Sequence, residues 1–264
     1  AVTLCLCIFS STTASQIEEQ EILVELFYAT NGSNWLNNDN WLSDSKPCGP
    51  QSWFGVDCND NHEVVGLDLS MNNLQGTLPI ALGKLFHLES VDMALNKLVD
   101  SVPISLFRDT HVAYVDLSFN QLSVQLNLFK SHNLKHLDIG WNSLVFGSLS
   151  ELAMAAPNLS LLNLDHLELT GSSLLPITNM SGLQHLSMTG CLLDGNISEL
   201  NVDGTLGQLR FLDLSENRIT GALAPQFFCQ WPQLEHLNLR ANFLEGIFPG
   251  LPVSYCGFDS MIAF

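Results

Sequence analysis

The sequence predicts an α/β solenoid, in which short parallel strands stack edge to edge behind a helical cap. Three observations carry this. An apolar pattern recurs about every two dozen residues, an asparagine returns at one fixed slot, and a block rich in tryptophan and cysteine precedes the first repeat. Alignment gives eight repeats, opening at Val64, Leu88, Val112, Leu134, Leu159, Leu183, Leu209 and Leu234. The first, fourth, sixth and eleventh positions of each repeat are apolar, so thirty-two of thirty-two slots are filled. Chance alternation in an ordinary sheet protein would not do this.

The spacing dictates the geometry. Residues at positions four and six share one face of a strand, and the residue between them points the other way. One repeat cannot bury its leucines alone, but stacked repeats close a continuous core and pair their strands roughly 4.7–4.9 Å apart. The expectation is a right-handed arc with a parallel β-sheet on its concave face. The ninth position carries Asn72, Asn96, Asn120, Asn142, Asn217 and Asn242. An amide there offers donors and an acceptor to backbone groups left inside the turn. Two middle repeats place Leu167 and Cys191 in that slot, which reads either as drift with the backbone satisfied otherwise or as a local change of curvature.

Composition narrows the function. The chain has 264 residues, 46% hydrophobic and 14% charged, with a formal net charge of −18 and only nine Lys plus Arg. That balance argues against nucleic acid, which needs a basic footprint, and against an anionic membrane surface. An acidic face favours a basic peptide, a neutral carbohydrate or a cationic protein patch. No His-Glu-x-x-His, phosphate-cradling glycine loop, Gly-x-Ser-x-Gly or kinase signature occurs, so neither an enzyme nor a cofactor is expected.

Residues 1–15 hold an apolar run, Ala1 to Phe9, then small and hydroxylated residues, and read as a truncated secretory signal. Residues 16–63 form the cap, 64–250 the repeats and 251–264 a C-terminal end or the start of a further repeat. Cys48 and Cys58 bracket the segment before the first repeat, where a disulfide would staple the cap. Cys229 and Cys256 fall at nearly the same place on adjacent repeats, which allows a second disulfide. A zinc site would need closely spaced ligand pairs, which are absent. Four sequons, at Asn31, Asn158, Asn179 and Asn196, avoid the asparagine ladder and would decorate the side away from the strands.

The cap resembles a known family. Glu21 to Trp35, with Ala29-Thr-Asn-Gly32 ahead of the tryptophan, then Asn40-Trp41-Leu42 and Trp53-Phe-Gly-Val-Asp-Cys58, is similar to the N-terminal cap of plant-type extracellular leucine-rich repeat proteins, in a variant like those of algae and other protists. The first repeat continues Leu67-Asp-Leu-Ser-Met-Asn72-Asn-Leu-Gln-Gly76-Thr-Leu78-Pro79, matching the plant-type consensus. The Gly-x-Leu-Pro element recurs only loosely, at Gly221 to Pro225 and Gly246 to Pro249. The resemblance implies a leucine-rich-repeat solenoid outside the cell or at the outer side of the plasma membrane. Its function would be ligand recognition in signalling or defence, as the ectodomain of a receptor-like protein anchored through a C-terminal segment beyond Phe264. The alternative is a free secreted inhibitor or adhesion protein acting on a cell-wall enzyme or matrix component.

Two helices are expected besides. Ile17 to Thr30 carries Ile22, Leu23, Leu26 and Phe27 on one stripe and would end at Asn31-Gly32. Ser148 to Ala156, stopped by Pro157, reads as a helix on the convex side.

The register then selects candidate contacts on the concave face for a protein, peptide or carbohydrate. The eighth position gives Met71, Leu95, Phe119 and Trp141, an apolar stripe of the kind that marks interfaces. The third position adds Tyr114, His136 and Phe211. The fifth position supplies Asp116, Asp138 and Asp213 within a column of acids and amides that also reads as local hydrogen bonding. His136, Asp138, Asp165, His166 and His185 are close enough in register to suggest a metal site, but nothing fixes their geometry, so solvated surface is the reading and no metal is expected.

Overall fold

The computed structural model describes residues 6–129, 131–169, 173–200, 205–223 and 231–246. Cys229, Cys256, the Gly246 to Pro249 element and the C-terminal segment 251–264 lie wholly or mostly outside them. Two compact units divide the chain, residues 1–122 and 123–264.

The N-terminal unit opens with α1 (Leu6–Ala29). Sequence reading began this helix at Ile17; the backbone is helical eleven residues earlier. Ile22, Leu23, Leu26 and Phe27 are buried as one stripe. The helix ends at Ala29, just before Asn31 turns left-handed (φ 60°). Glu19, nearly buried, accepts the Val64 amide at 3.2 Å, and burial raises its carboxyl pKa against that hydrogen bond.

Below the helix, Phe27, Trp35, Trp41 and Trp53 pack ring on ring with centroids 4.8–5.8 Å apart. Each indole N–H finds a backbone carbonyl, at Thr30, Phe54 and Ser45, so the cap buries three tryptophans without an orphaned donor. Cys48 and Cys58 are disulfide-bonded, with Cα atoms 5.7 Å apart. This bond closes a short loop, so Cys58→Ser should cost about 2–3 kcal/mol. Urea unfolding of the variant against the oxidised parent checks this.

After the cap, β1 (Val56–Cys58) pairs antiparallel with β2 (Val64–Asp68). A second short strand, β3 (Gln75–Gly76), follows; then β4 (Ser90–Asp92), β5 (Lys97–Ser101), a helical turn α2 (Ser105–Arg108) and β6 (Tyr114–Asp116). β2, β4 and β6 are parallel and in strict register: Gly66, Ser90 and Tyr114 align, as do Asp68, Asp92 and Asp116. β3 pairs with β5 in a narrower ladder. Gly76 explains the plant-type glycine. Its φ is +123°, and a Cβ there would lie 2.1 Å from the Ala29 carbonyl, so only glycine lets the first repeat close against the cap.

The chain crosses between units in β7 (Gln121–Gln125). Within the C-terminal unit, β8 (His136–Asp138), β9 (Leu144–Phe146), α3 (Leu149–Ala155), β10 (Leu161–Asn163), β11 (His185–Ser187), β12 (Phe211–Asp213), β13 (Thr220–Ala222), β14 (His236–Asn238) and β15 (Phe243–Glu245) follow. β8, β10, β11, β12 and β14 form a parallel ladder in strict register, and β13 pairs with β15. The expected helix from Ser148 is present, and Ser148 and Glu151 form a reciprocal capping box that starts it.

Inside both units the fourth- and sixth-position residues are buried, from Leu67 and Leu69 to Leu212 and Leu214. The asparagines hold consecutive turns together. Asn96 Oδ1 accepts the amides of Asn72 (3.1 Å) and Leu74 (2.9 Å), and its Nδ2 donates to the carbonyls of Leu69, Met93 and Ala94 at 2.9–3.1 Å. Asn217 repeats this set against Cys191, Leu193, Met188, Leu214 and Ser215. Asn72, with no earlier repeat, exchanges two hydrogen bonds with the Asn37 backbone of the cap.

The two exceptions differ. Cys191 Sγ donates to the Leu164 carbonyl at 3.0 Å, the bond an asparagine would make to the preceding repeat. Burial pushes this thiol up to about 12, so it remains a protonated donor. At Leu167 the side chain can make none of these bonds; the Ile139 carbonyl keeps the one from its own repeat's Asn142, at 2.9 Å.

Candidate functional site

The strand faces carry positions three, five, seven and eight of each repeat, of which position eight is the one that turns large side chains outward. Position eight has a property that the sequence pattern did not announce. Met71, Leu95, Phe119, Trp141, His166, Gly190, Glu216 and Ala241 are all left-handed, with φ between 52° and 64°. Side chains in this conformation carry a cost of roughly 1–2 kcal/mol. Bonds between successive repeats hold it. The amides of Met71, Leu95, Trp141, His166, Gly190 and Glu216 each donate to the seventh-position carbonyl of the next repeat, at 2.7–3.0 Å. Where the next residue is asparagine, it fastens the turn from below. A large side chain here is turned outward by the backbone: Met71 is 67% exposed, Leu95 49%, Phe119 and Trp141 45% each.

The fifth-position aspartates are shared between turn and surface. Asp116 Oδ1 accepts the amide and hydroxyl of Ser118, and Asp213 does the same with Ser215, at 2.6–2.9 Å. Asp138 accepts the Gly140 amide at 3.0 Å and its second oxygen accepts Asn163 Nδ2 at 2.9 Å. Their local hydrogen-bonding role is therefore direct. For Asp213, burial opposes ionisation, but the Ser215, Asn238 and Thr189 hydrogen bonds outweigh it and lower the pKa. Asp92, with a single amide donor and flanked by Asp68 and Asp116, goes the other way: burial raises it.

In the N-terminal unit, Tyr114 stands half-buried at position three of β6, with Asp116 two residues on. Met71, Leu95 and Phe119 occupy the turns after β2, β4 and β6.

The C-terminal unit holds two ring stacks. The Trp141 and His166 rings meet with centroids 3.7 Å apart and planes tilted by 37°. Beyond His166, a Cβ at Gly190 would fall 2.9 Å from the imidazole, so the glycine makes room for the ring. At position three, His185, Phe211 and His236 stack nearly parallel, with centroids 4.1 and 4.4 Å apart and planes 3° and 5° from one another. Strict register across β11, β12 and β14 puts these residues side by side at strand spacing. Between the stacks runs a polar strip. Asp165 accepts from the Ser187 hydroxyl and the Thr189 amide at 2.7 Å each, and Asp213 accepts from Asn238.

His136 heads the third-position column on β8. Sequence reading singled out Phe211 and Trp141 and missed that each has an imidazole partner. The signal was available: His185, Phe211 and His236 sit at the same slot of successive repeats. Among the described residues, no group of three or more His, Cys, Asp or Glu is placed to hold a metal ion. A cavity of about 520 Å³ opens in the cap beside Ile17, Cys48 and His62, away from the strand face. The sequons at Asn158, Asn179 and Asn196 carry exposed asparagines in connecting segments.

The Leucine Rich Repeat family model matches residues 64–85 and 208–230. The S-cell enriched leucine-rich repeat-containing protein slrA of Dictyostelium discoideum is 29% identical over 75% of this chain and 16% of its own length. Receptor-like protein 35 of Arabidopsis thaliana is 28% identical over 52% of this chain and 14% of its own. The chain thus spans less than a fifth of these curated relatives. Among solved structures, the ectodomain of the Arabidopsis receptor kinase HAESA, in complex with an extended IDA peptide hormone, superposes with a TM-score of 0.65. It is 23% identical, covering 95% of this chain and 46% of that one. The repeat register, the asparagine ladder and the disulfide-stapled tryptophan cap, with these matches, show a leucine-rich-repeat solenoid similar in fold to the ectodomains of plant receptor kinases.

Proposed function

We propose that this chain is the ligand-recognition part of a receptor-like protein on the outer side of the plasma membrane, and that its strand faces receive a protein or peptide. One observation carries the reading most. The eighth-position turns hold Phe119 and Trp141 outward, in a backbone conformation that costs energy and that gives the rings no core to enter. The HAESA ectodomain, similar in fold, was solved with a peptide hormone, which supports a peptide as the class of ligand.

Several finer elements belong to the same proposal. Residues 1–15 act as a secretory signal, a segment beyond Phe264 anchors the protein, and Asn31, Asn158, Asn179 and Asn196 carry glycans. The partner contacts are Met71, Leu95, Tyr114, Phe119 and Asp116 in one unit and His136, Asp138, Trp141, Phe211 and Asp213 in the other. A secretory compartment also accounts for the disulfide.

The test is selection of a random dodecapeptide library on the immobilised, secreted chain. Enriched peptides should bind the parent and lose affinity for a Phe119→Gly, Trp141→Gly variant. Enriched peptides that bind both proteins equally would contradict the assignment of the face.

A further inference from the structure

The C-terminal unit offers its own chemistry for a ligand. Along its strand face, at positions three, five, seven and eight of the five repeats, the acids are Asp138, Asp165, Asp213 and Glu216 and the only fixed cation is Arg240. The two ring stacks lie on either side of the polar strip: Trp141 with His166 at the turn end, and His185, Phe211 and His236 at the start of the strands. An acidic floor between aromatic rails is complementary to one kind of partner, since an arginine or lysine is attracted to both carboxylates and ring faces.

We infer that this face binds an extended peptide rich in Arg or Lys, and that acidification releases it. The inference rests on the ligand-binding reading above and names the ligand's charge and its regulation. Release follows from His185, whose ring stacks on Phe211 beside the strip. A cationic ligand seated against it disfavours its protonated form, so affinity falls as the pH drops into the range where His185 takes up its proton. Around His185 stand Asp165 on the preceding repeat, Phe211 and Asp213 on the next, and His236 beyond; the exposed Arg210–Glu235 ion pair (3.1 Å) lies at the strand starts. Burial lowers the His185 pKa and His236 adds to this, while Asp165 opposes it. His185 is therefore neutral at neutral pH and becomes charged only in the acid range.

Isothermal titration in about 150 mM salt, where surface charges beyond roughly 8 Å are screened, tests this with two synthetic dodecapeptides. One alternates arginine with leucine, the other glutamate with leucine. The arginine peptide should bind at least tenfold tighter at pH 7.5 than the glutamate peptide, and at least tenfold weaker at pH 5.5 than at pH 7.5. Trp141→Gly should weaken it by about 30-fold, and His185→Gln with His236→Gln should flatten the pH dependence. Equal binding of the two peptides, affinity that rises on acidification, binding of neither, or binding indifferent to Trp141→Gly would overturn the inference. If the double histidine variant fails to fold, the pH titration of the parent and the Trp141 variant still decide. An acidic peptide from the random library that binds through Trp141 would overturn this inference and leave the ligand-binding reading standing.

Discussion

Asn96→Ala is expected to lower the unfolding free energy by about 3–5 kcal/mol, the largest stability effect of any single polar substitution considered. The side chain makes five hydrogen bonds across two repeats. Alanine removes the acceptor of two amides, Asn72 and Leu74, in a turn where the asparagine itself is only 8% exposed. An orphaned buried group costs roughly 1–3 kcal/mol, so two donors alone reach the lower end of the range. The carbonyls have other partners or a second lone pair and add less. Asn96→Cys should recover part of the loss, since Cys191 shows a thiol reaching the preceding carbonyl. Urea unfolding, together with amide exchange at Asn72 and Leu74, measures both variants; a loss below about 1 kcal/mol would show that the ladder is not a principal support of the turns.

Replacing Trp141 by glycine is expected to weaken ligand binding by about 30-fold or more, the range of an aromatic hot spot of roughly 2 kcal/mol, while stability stays level or rises. The choice of glycine matters. The Trp141 backbone is left-handed (φ 55°), so alanine would keep the backbone cost and remove only the ring, whereas glycine relieves it. Phe119→Gly in the N-terminal unit follows the same logic. Thermal unfolding and ligand titration on the same samples separate the two effects. A fall in stability accompanying any loss of affinity would reassign the rings to a structural role.

The repeat register was legible in the sequence because its cause is local and repeated. A leucine at the fourth or sixth position must face inward, and an asparagine at the ninth has few other uses. The cap helix stripe was legible for the same reason, as was the helix from Ser148 to Ala156, though not the capping box that starts it. The start of α1 at Leu6 was not, because a short apolar run followed by serines and threonines has the composition of a secretory leader as well as of a helix. The left-handed backbone at position eight was also hidden. Met, Leu, Phe, Trp and His do not announce positive φ, and only Gly190 hinted at it. What imposes it is a hydrogen bond to the next repeat, and such a bond is invisible in one repeat read alone. The stacking of His185, Phe211 and His236 needed both the register and the strand spacing. The aspartate column stood open between ligand contact and turn chemistry, and Ser118, Ser215 and Gly140 show the turn chemistry directly.

Photo-crosslinking tests most directly whether the strand face is where a ligand sits. A photoreactive phenylalanine analogue would be placed at Trp141 on the strand side, and in a second protein at Met154 of α3, a connecting-segment residue that is 75% exposed. Both positions lie in the C-terminal unit, and each would be irradiated with a library-selected peptide bound. The account predicts covalent capture of the peptide from position 141 and little from position 154. Capture from 154 with none from 141 would contradict it.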